Sequence, residues 1–239
     1  MRSLLSFTLA LSLTTHAAIP FTCDHVKGSG EVVKKQITVA AFHGIIVNGS
    51  MDVEIVRSDV QSVEVEAQAN IAELITTEVH DGVWAIETSK DYSTDKAFTI
   101  RIHVPSMDKV HINGSGDVKS ATSFKAERVD LGISGSGDIT FVAEASSVYV
   151  TIEGSGDIRV SGTSERLNAS TEVRGDVNAS GLTVKEVDAR IEGSGDIKAN
   201  ASDNVQANIA GSGDVVLMRN PASMKNHIAG SGEVRVQQQ

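Results

Sequence analysis

A short signature, Gly-Ser-Gly followed by an acid, recurs through the second half of this chain at a near-constant interval. It occupies residues 114–117, 135–138, 154–157, 193–196, 211–214 and 230–233, and Arg174-Gly175-Asp176 fills the one vacant place. The acidic members are Asp117, Asp138, Asp157, Asp176, Asp196, Asp214 and Glu233, spaced by 21, 19, 19, 20, 18 and 19 residues. A period of about 19 residues sustained this often restricts a chain to repeat architectures, in which each unit buries its apolar face on its neighbours. Two related segments, at residues 28–31 and 49–52, lie 21 residues apart outside the run.

Each unit has the same local grammar. An aliphatic residue stands two places before the first glycine and another follows the acid, as in Ile112 and Val118, Ile133 and Ile139, Ile152 and Ile158, or Ile191 and Ile197. Val26 with Val32, and Val47 with Val53, obey the same rule. Around these anchors apolar and polar residues alternate, as in Val148-Tyr149-Val150-Thr151-Ile152, which is the period of a strand with one buried face. The repeat therefore reads as strand, Gly-rich turn, strand, then a second polar turn such as Ala145-Ser146-Ser147 or Ala201-Ser202-Asp203-Asn204. Equivalent strands stacked in one direction are parallel and rise roughly 4.8 Å per rung. The expected fold is all-β: a right-handed parallel β-helix, or solenoid, of seven rungs over residues 111–239, the hand following from the dominance of right-handed crossovers. In the turns glycine is expected to supply positive φ and the acid to bond turn amides.

Composition agrees with thin β-layers. Aromatic residues make up 4% of the 239, so the core must be built from Val, Ile, Ala and Leu, without a deep aromatic-lined pocket. The net charge of −10 argues against nucleic acid and anionic membrane as partners. A single cysteine, Cys23, excludes an intramolecular disulfide framework and any Cys-based zinc cluster.

Residues 1–17 read as a secretory signal peptide, with Arg2, an apolar run from Leu4 to Leu13, and small residues at Ala17 and Ala18 for cleavage. No later stretch is long and apolar enough for a transmembrane helix. The chain is thus expected to be exported, to the periplasm, the outer-membrane surface or the exterior. Pro20-Phe21-Thr22 makes a poor lipidation context for Cys23, which is expected to stay a free thiol. Residues 18–110 form a less regular β region that begins the solenoid and plugs its N-terminal end. There Asp81-Gly82 between Val79 and Trp84 signals a hairpin, Phe98 to Val104 alternates as a strand that Pro105 stops, and Lys90 to Lys96 is a polar loop.

Residues 42–55, from Phe42-His43-Gly44 through Asn48-Gly49-Ser50-Met51-Asp52 to Ile55, resemble the opening of the bacterial head GIN domain family of putative autotransporter adhesins. Asn70-Ile71-Ala72-Glu73-Leu74, the Asp81-Gly82-Val83-Trp84 segment, and Ile102-His103-Val104-Pro105 leading into Asn113-Gly114-Ser115-Gly116-Asp117 are similar to the same family, over residues 37–239 in all. The resemblance implies a secreted or envelope-bound β-helical domain and carries over no catalytic residue.

The motifs carry little chemistry of their own. A phosphate loop needs a helix after its glycines, and here a strand follows each time. Calcium-binding β-rolls repeat every nine residues, whereas this period offers one acid per 19. Stacked acids repel by roughly 0.9 kcal/mol per neighbouring pair in water at ~4.8 Å, which screening and turn hydrogen bonds offset. No cofactor is expected; calcium on the acidic ladder of Asp117, Asp138, Asp157, Asp176, Asp196, Asp214 and Glu233 is the weaker alternative. Arg174-Gly175-Asp176 is read as a degenerate rung rather than an integrin motif, and the Asn-x-Ser sites as turn asparagines. The seven histidines show no ligand or triad spacing. The expected function is a non-enzymatic envelope or surface module that binds a surface polysaccharide or envelope protein, or serves structurally. The competing class is a carbohydrate-active β-helix enzyme, whose carboxylates would need distinct environments that equivalent turn positions do not provide.

Overall fold

The computed structural model describes residues 25–237; the expected signal segment and Cys23 lie outside the described residues. Strands β1 (His25–Lys27) and β2 (Val32–Ile37) precede a first stacked unit, β3 (Gly44–Gly49) and β4 (Asp52–Arg57). An excursion follows through β5 (Ser62–Gln68), the single helical turn α1 (Ala69–Ala72), β6 (Val79–His80), β7 (Val83–Ile86), β8 (Asp91–Ser93) and β9 (Thr99–Val104). The chain then runs from β10 (Lys109–Gly114) into β11 (Val118–Gly135), β12 (Ile139–Gly154), β13 (Ile158–Val173), β14 (Val177–Gly193) and β15 (Ile197–Gly211), and ends in β16 (Val215–Leu217), β17 (Ser223–Gly230) and β18 (Val234–Val236).

The molecule is an all-β solenoid of about seven turns with an irregular N-terminal β part. From β10 upward every ladder is parallel and each rung lies on the one before it. The inward residues of the alternating pattern stack in columns. Val129, Val148, Leu167, Val187 and Val205 form one, and Ile133, Ile152, Thr171, Ile191 and Ile209 another; all are buried. Stacking like on like removes apolar surface that a lone rung would leave in water, and this holds the repeat together. Phe124 and Phe141 stack inside the lower rungs at 5.7 Å between centroids.

The second corner of each rung differs from the sequence expectation of a turn. Ala145-Ser146-Ser147 lies within β12 and Ala201 to Asn204 within β15, so each corner is part of a continuous strand, with Ser146, Ser202 and Asp203 dropping out of the strand pairing. Register irregularities collect on this side of the rung, between Lys119 and Ser123, Arg159 and Ser161, Ala179 and Thr183, and Val184 and Glu186. The 18-to-21-residue variation in repeat length is absorbed there. The stretch from each second corner to the Gly-rich turn stays in unbroken register, for example Arg166 to Val173 against Glu186 to Gly193. One flat face of the solenoid is therefore regular along its length while the other takes up insertions.

Both glycines of each turn lie against the backbone of the rung below, and the first often meets a conformational requirement as well. The first takes positive φ in most rungs, 144° at Gly135 and 143° at Gly193 though not at Gly154, and a Cβ on it would also crowd the rung below, 2.1 Å from Gly114 O at Gly135. The second is needed for close approach: a Cβ on Gly137 would stand 2.1 Å from the carbonyl oxygen of Gly116 in the rung below. In the degenerate rung Val173 takes the first position with φ of 128°, a conformation a β-branched residue rarely adopts. Thr171 replaces the usual isoleucine, and its buried hydroxyl donates to the Gly175 carbonyl at 2.7 Å.

At the N-terminal end the ladder changes sense. β7 and β9 lie parallel beneath β3 and β4, but β6 is antiparallel to β7, and β5 is antiparallel to both β9 and β2. The expected hairpin is present, with Asp81 and Gly82 at φ of 51° and 74°. Trp84 is fully buried, its indole N–H donating to Thr76 O at 3.0 Å and its ring 5.5 Å from Phe42. The expected polar loop carries a short strand, β8, paired in parallel with β1. The opening motif at residues 28–31 is not a rung, because β2 after it runs antiparallel to β5. The segment at 49–52, in contrast, stacks in register under residues 114–117, with Gly49 opposite Gly114 and Val53 opposite Val118.

Candidate functional site

The acidic residues singled out by the repeat form a continuous hydrogen-bonded ladder, and its geometry differs from an Asx-turn. Each carboxylate accepts the backbone N–H of the acid in the next rung. Asp138 N–H reaches Asp117 Oδ1 at 2.9 Å, Asp157 reaches Asp138 at 2.9 Å, and Asp176 reaches Asp157 at 3.2 Å. Asp196, Asp214 and Glu233 continue upward at 2.8, 2.8 and 3.0 Å. The ladder starts one rung earlier than the clean period does, because Asp117 N–H donates to Asp52 Oδ1 at 3.1 Å. A backbone link runs the opposite way, as in Ile139 N–H to Asp157 O at 2.9 Å. One oxygen of each Asp is thereby committed to joining rungs.

Cations of the chain itself lie beside the ladder. Arg159 reaches Asp157 Oδ2 at 3.1 Å and Asp138 Oδ2 at 3.5 Å, and Arg235 reaches Glu233 at 3.2 Å and Asp214 at 3.7 Å. These partly exposed pairs relieve repulsion more than they add stability. Among the described residues no group of three or more His, Cys, Asp or Glu is arranged to hold a metal ion.

Two histidine pairs emerge that sequence spacing did not reveal. His43 Nδ1 lies 2.8 Å from Asp108 Oδ1, and His25 Nε2 lies 2.9 Å from Ser93 Oγ. Neither becomes a triad: among the described residues no hydroxyl bonds the first ring and no carboxylate the second. Half-buried His111, its ring packed over Gly132, is held below the ordinary imidazole pKa by burial first and by the Lys109 charge second.

The regular flat face carries a feature the repeat motif did not point to. Two adjoining open grooves, about 440 and 410 Å³, share Asn168, Asp188 and Gln206 and merge into one shallow trough across β12 to β15 and β17. Arg128 lies 3.7 Å from the centroid of Tyr149, which lines the trough towards its lower end, and grips Asp130 with two hydrogen bonds of 2.8 Å. The sequence signal for this trough was present but weak: the outward places of the alternation here hold Asn, Gln and Asp where a solvated strand more often shows Lys and Glu.

The family model described as "Putative auto-transporter adhesin, head GIN domain" matches residues 41–221. The chain belongs to this family. Among solved structures it is similar to a putative adhesin from Bacteroides fragilis, with 21% identity, a TM-score of 0.80, and coverage of 89% of this chain and 100% of that one. A putative adhesin from Parabacteroides distasonis is similar at 25% identity and a TM-score of 0.69, covering 90% of this chain and 100% of that one. A structure from the same organism described as a putative lipid binding protein shares the fold at 22% identity, a TM-score of 0.73, and the same coverages. Comparison with curated proteins gives no match. No helix among the described residues is long and apolar enough to cross a membrane.

Proposed function

We propose that this protein is an exported, non-enzymatic module of the bacterial envelope or surface that binds an extended partner in the manner of an adhesin. The observation that carries the reading is the fate of the acids. A glycosidase needs two carboxylates in unlike environments, one protonated and one ionised. Here the ladder acids repeat one environment, each accepting a neighbouring rung's amide. The grooves are shallow and open rather than enclosed. Membership of the head GIN domain family supports the adhesin reading, and residues 1–17 are the export signal within it. In this reading residues 18–110 act as the capping unit and residues 111–239 as the display unit.

The test is expression of the full chain in a bacterial host, followed by fractionation, protease shaving of intact cells, and attachment to polysaccharide-coated surfaces. Export, with attachment above that of the empty host, is the expected result. Chain retained in the cytoplasm, or release of reducing sugar that disappears in an Asp157→Asn variant, would overturn it.

A further inference from the structure

The flat-face trough is built from side chains the fold itself does not use. Asp188, Gln206, Asn208 and Lys225 line it and make no side-chain hydrogen bond among the described residues. Asn168, in the wall common to both grooves, has a buried Nδ2 without a partner, the one such side-chain atom among the described residues. A buried donor left unpaired is destabilising, and an acceptor seated in the trough would pair it.

The arginines at the rim are already paired. Arg166 bonds Glu186 at 2.9 and 3.1 Å, Arg128 holds Asp130, and Arg190 bonds Glu192. With these guanidinium groups paired and a net charge of −10, a polyanion is disfavoured. An apolar or protein partner would want desolvated Trp, Tyr or Leu anchors, but the aromatic residue here, Tyr149, has Arg128 over its ring. What remains is a row of carboxamides with one carboxylate, Asp188, and one ammonium, Lys225, that offer donors and acceptors side by side. That set matches neighbouring hydroxyl groups on a pyranose ring. The row repeats at roughly 4.8 Å along the solenoid axis, so one polymer can meet the same chemistry on successive rungs.

We propose that this trough is a binding site for an uncharged polysaccharide lying along the solenoid axis, with Asn168, Asp188, Gln206 and Asn208 as its hydrogen-bonding residues. The proposal rests on the surface-module reading and gives it a site and a ligand class.

The experiment uses the purified full chain on an array of uncharged hexaoses of glucose, mannose, galactose and N-acetylglucosamine in α and β linkages, with polygalacturonate as the anionic comparison. Binding to at least one neutral glycan is expected, with little to polygalacturonate. The double variant Asp188→Ala, Gln206→Ala should weaken that binding at least tenfold while its circular dichroism stays that of the parent, since both side chains are exposed. Lys185→Ala, which alters an exposed ion pair with Glu165 outside the trough, should bind as the parent does. Absence of any neutral-glycan binding, equal binding by the double variant, or preference for polygalacturonate overturns the proposal. Attachment of expressing cells separates the two levels: if parent and double variant attach equally, the surface reading stands and the trough assignment falls.

Discussion

The N-terminal end and the repeating stack solve the same problem with different means. In the stack, one small set of residues recurs, and each rung is covered by the next. At the N-terminal end the chain makes an excursion between β4 and β10 in which β7 and β9 extend the parallel ladder while β5 and β6 pair antiparallel, and Trp84, Tyr92 and Phe98 from it, with Phe42, fill that end. Among the described residues the opposite end shows no such closure: β17 is exposed along its length, and Met224 and Ile228, which continue the core columns, are 44% and 39% exposed. Periodicity specifies the middle of a solenoid, and closure of an end requires residues that depart from it.

The largest expected effect breaks the stack itself. A Cβ on Gly156 would stand 1.9 Å from the carbonyl oxygen of Gly137, a backbone atom that cannot swing away. Gly156→Ala should force two rungs apart and destabilise the fold by about 5 kcal/mol or more, measured as loss of the urea unfolding midpoint. A shift under about 1 kcal/mol would show that the turns are not in van der Waals contact.

The N-terminal β part should be almost as sensitive, through packing rather than backbone contact. Trp84→Ala removes the largest buried side chain and leaves the Thr76 carbonyl without its indole donor. A loss of about 3–5 kcal/mol is expected. Limited proteolysis should then cut first among residues 58–108. Cuts appearing first in β13 or β14 would count against a capping role for the N-terminal β part.

How much of this was legible in the sequence follows the same division. The alternation at Val148 to Ile152 and the spacing of the acids specify rungs, ladder direction and buried columns, because stacked neighbours are copies of the unit itself. The excursion was not legible. Asp52 lies 65 residues before its ladder partner Asp117, and no local pattern tells a rung from an excursion that returns past it. Residues 28–31 satisfy the motif and are not a rung; α1 sits in a chain read as all-β. The acids were found as a set, yet their inter-rung role depends on register, which a single repeat does not reveal. The trough was missed because Asp188, Gln206 and Asn208 are ordinary outward residues one at a time.

Intermediate effects separate the ladder from the core. Asp157→Ala removes the acceptor for Asp176 N–H and one of the two carboxylates beside Arg159. Both groups are open to water, which limits the loss to about 1–2 kcal/mol in thermal unfolding. A loss as large as that of Gly156→Ala would mean the carboxylate ladder, not close glycine stacking, holds the rungs together. In the degenerate rung, Val173→Gly should act in the opposite direction. Relief of a strained φ is worth about 1–3 kcal/mol, and the added freedom of glycine in the unfolded chain takes back about 0.5–1. Val173 is 53% exposed, so little packing is lost and a net gain of about 1 kcal/mol is expected. Destabilisation instead would show that Val173 makes a contact that outweighs its strain.

The smallest effect is expected where the motif is repeated but the stack is absent. Gly30 ends the same Gly-Ser-Gly triplet as Gly156, and nothing lies within 4 Å of a Cβ built on it. Its φ of 81° is left-handed, so an alanine there is disfavoured by about 1–2 kcal/mol. Against that, alanine restricts the unfolded chain and returns about 0.4–1 kcal/mol. The net loss should be about 1 kcal/mol or less, several-fold below that of Gly156→Ala in the same triplet. Differential scanning calorimetry of the two variants side by side reads the ratio directly. Equal losses would place residues 28–31 against a neighbouring rung after all; a near-zero loss at residue 30 with a large one at residue 156 assigns the second glycine's role to the close approach of stacked backbones and not to the turn it sits in.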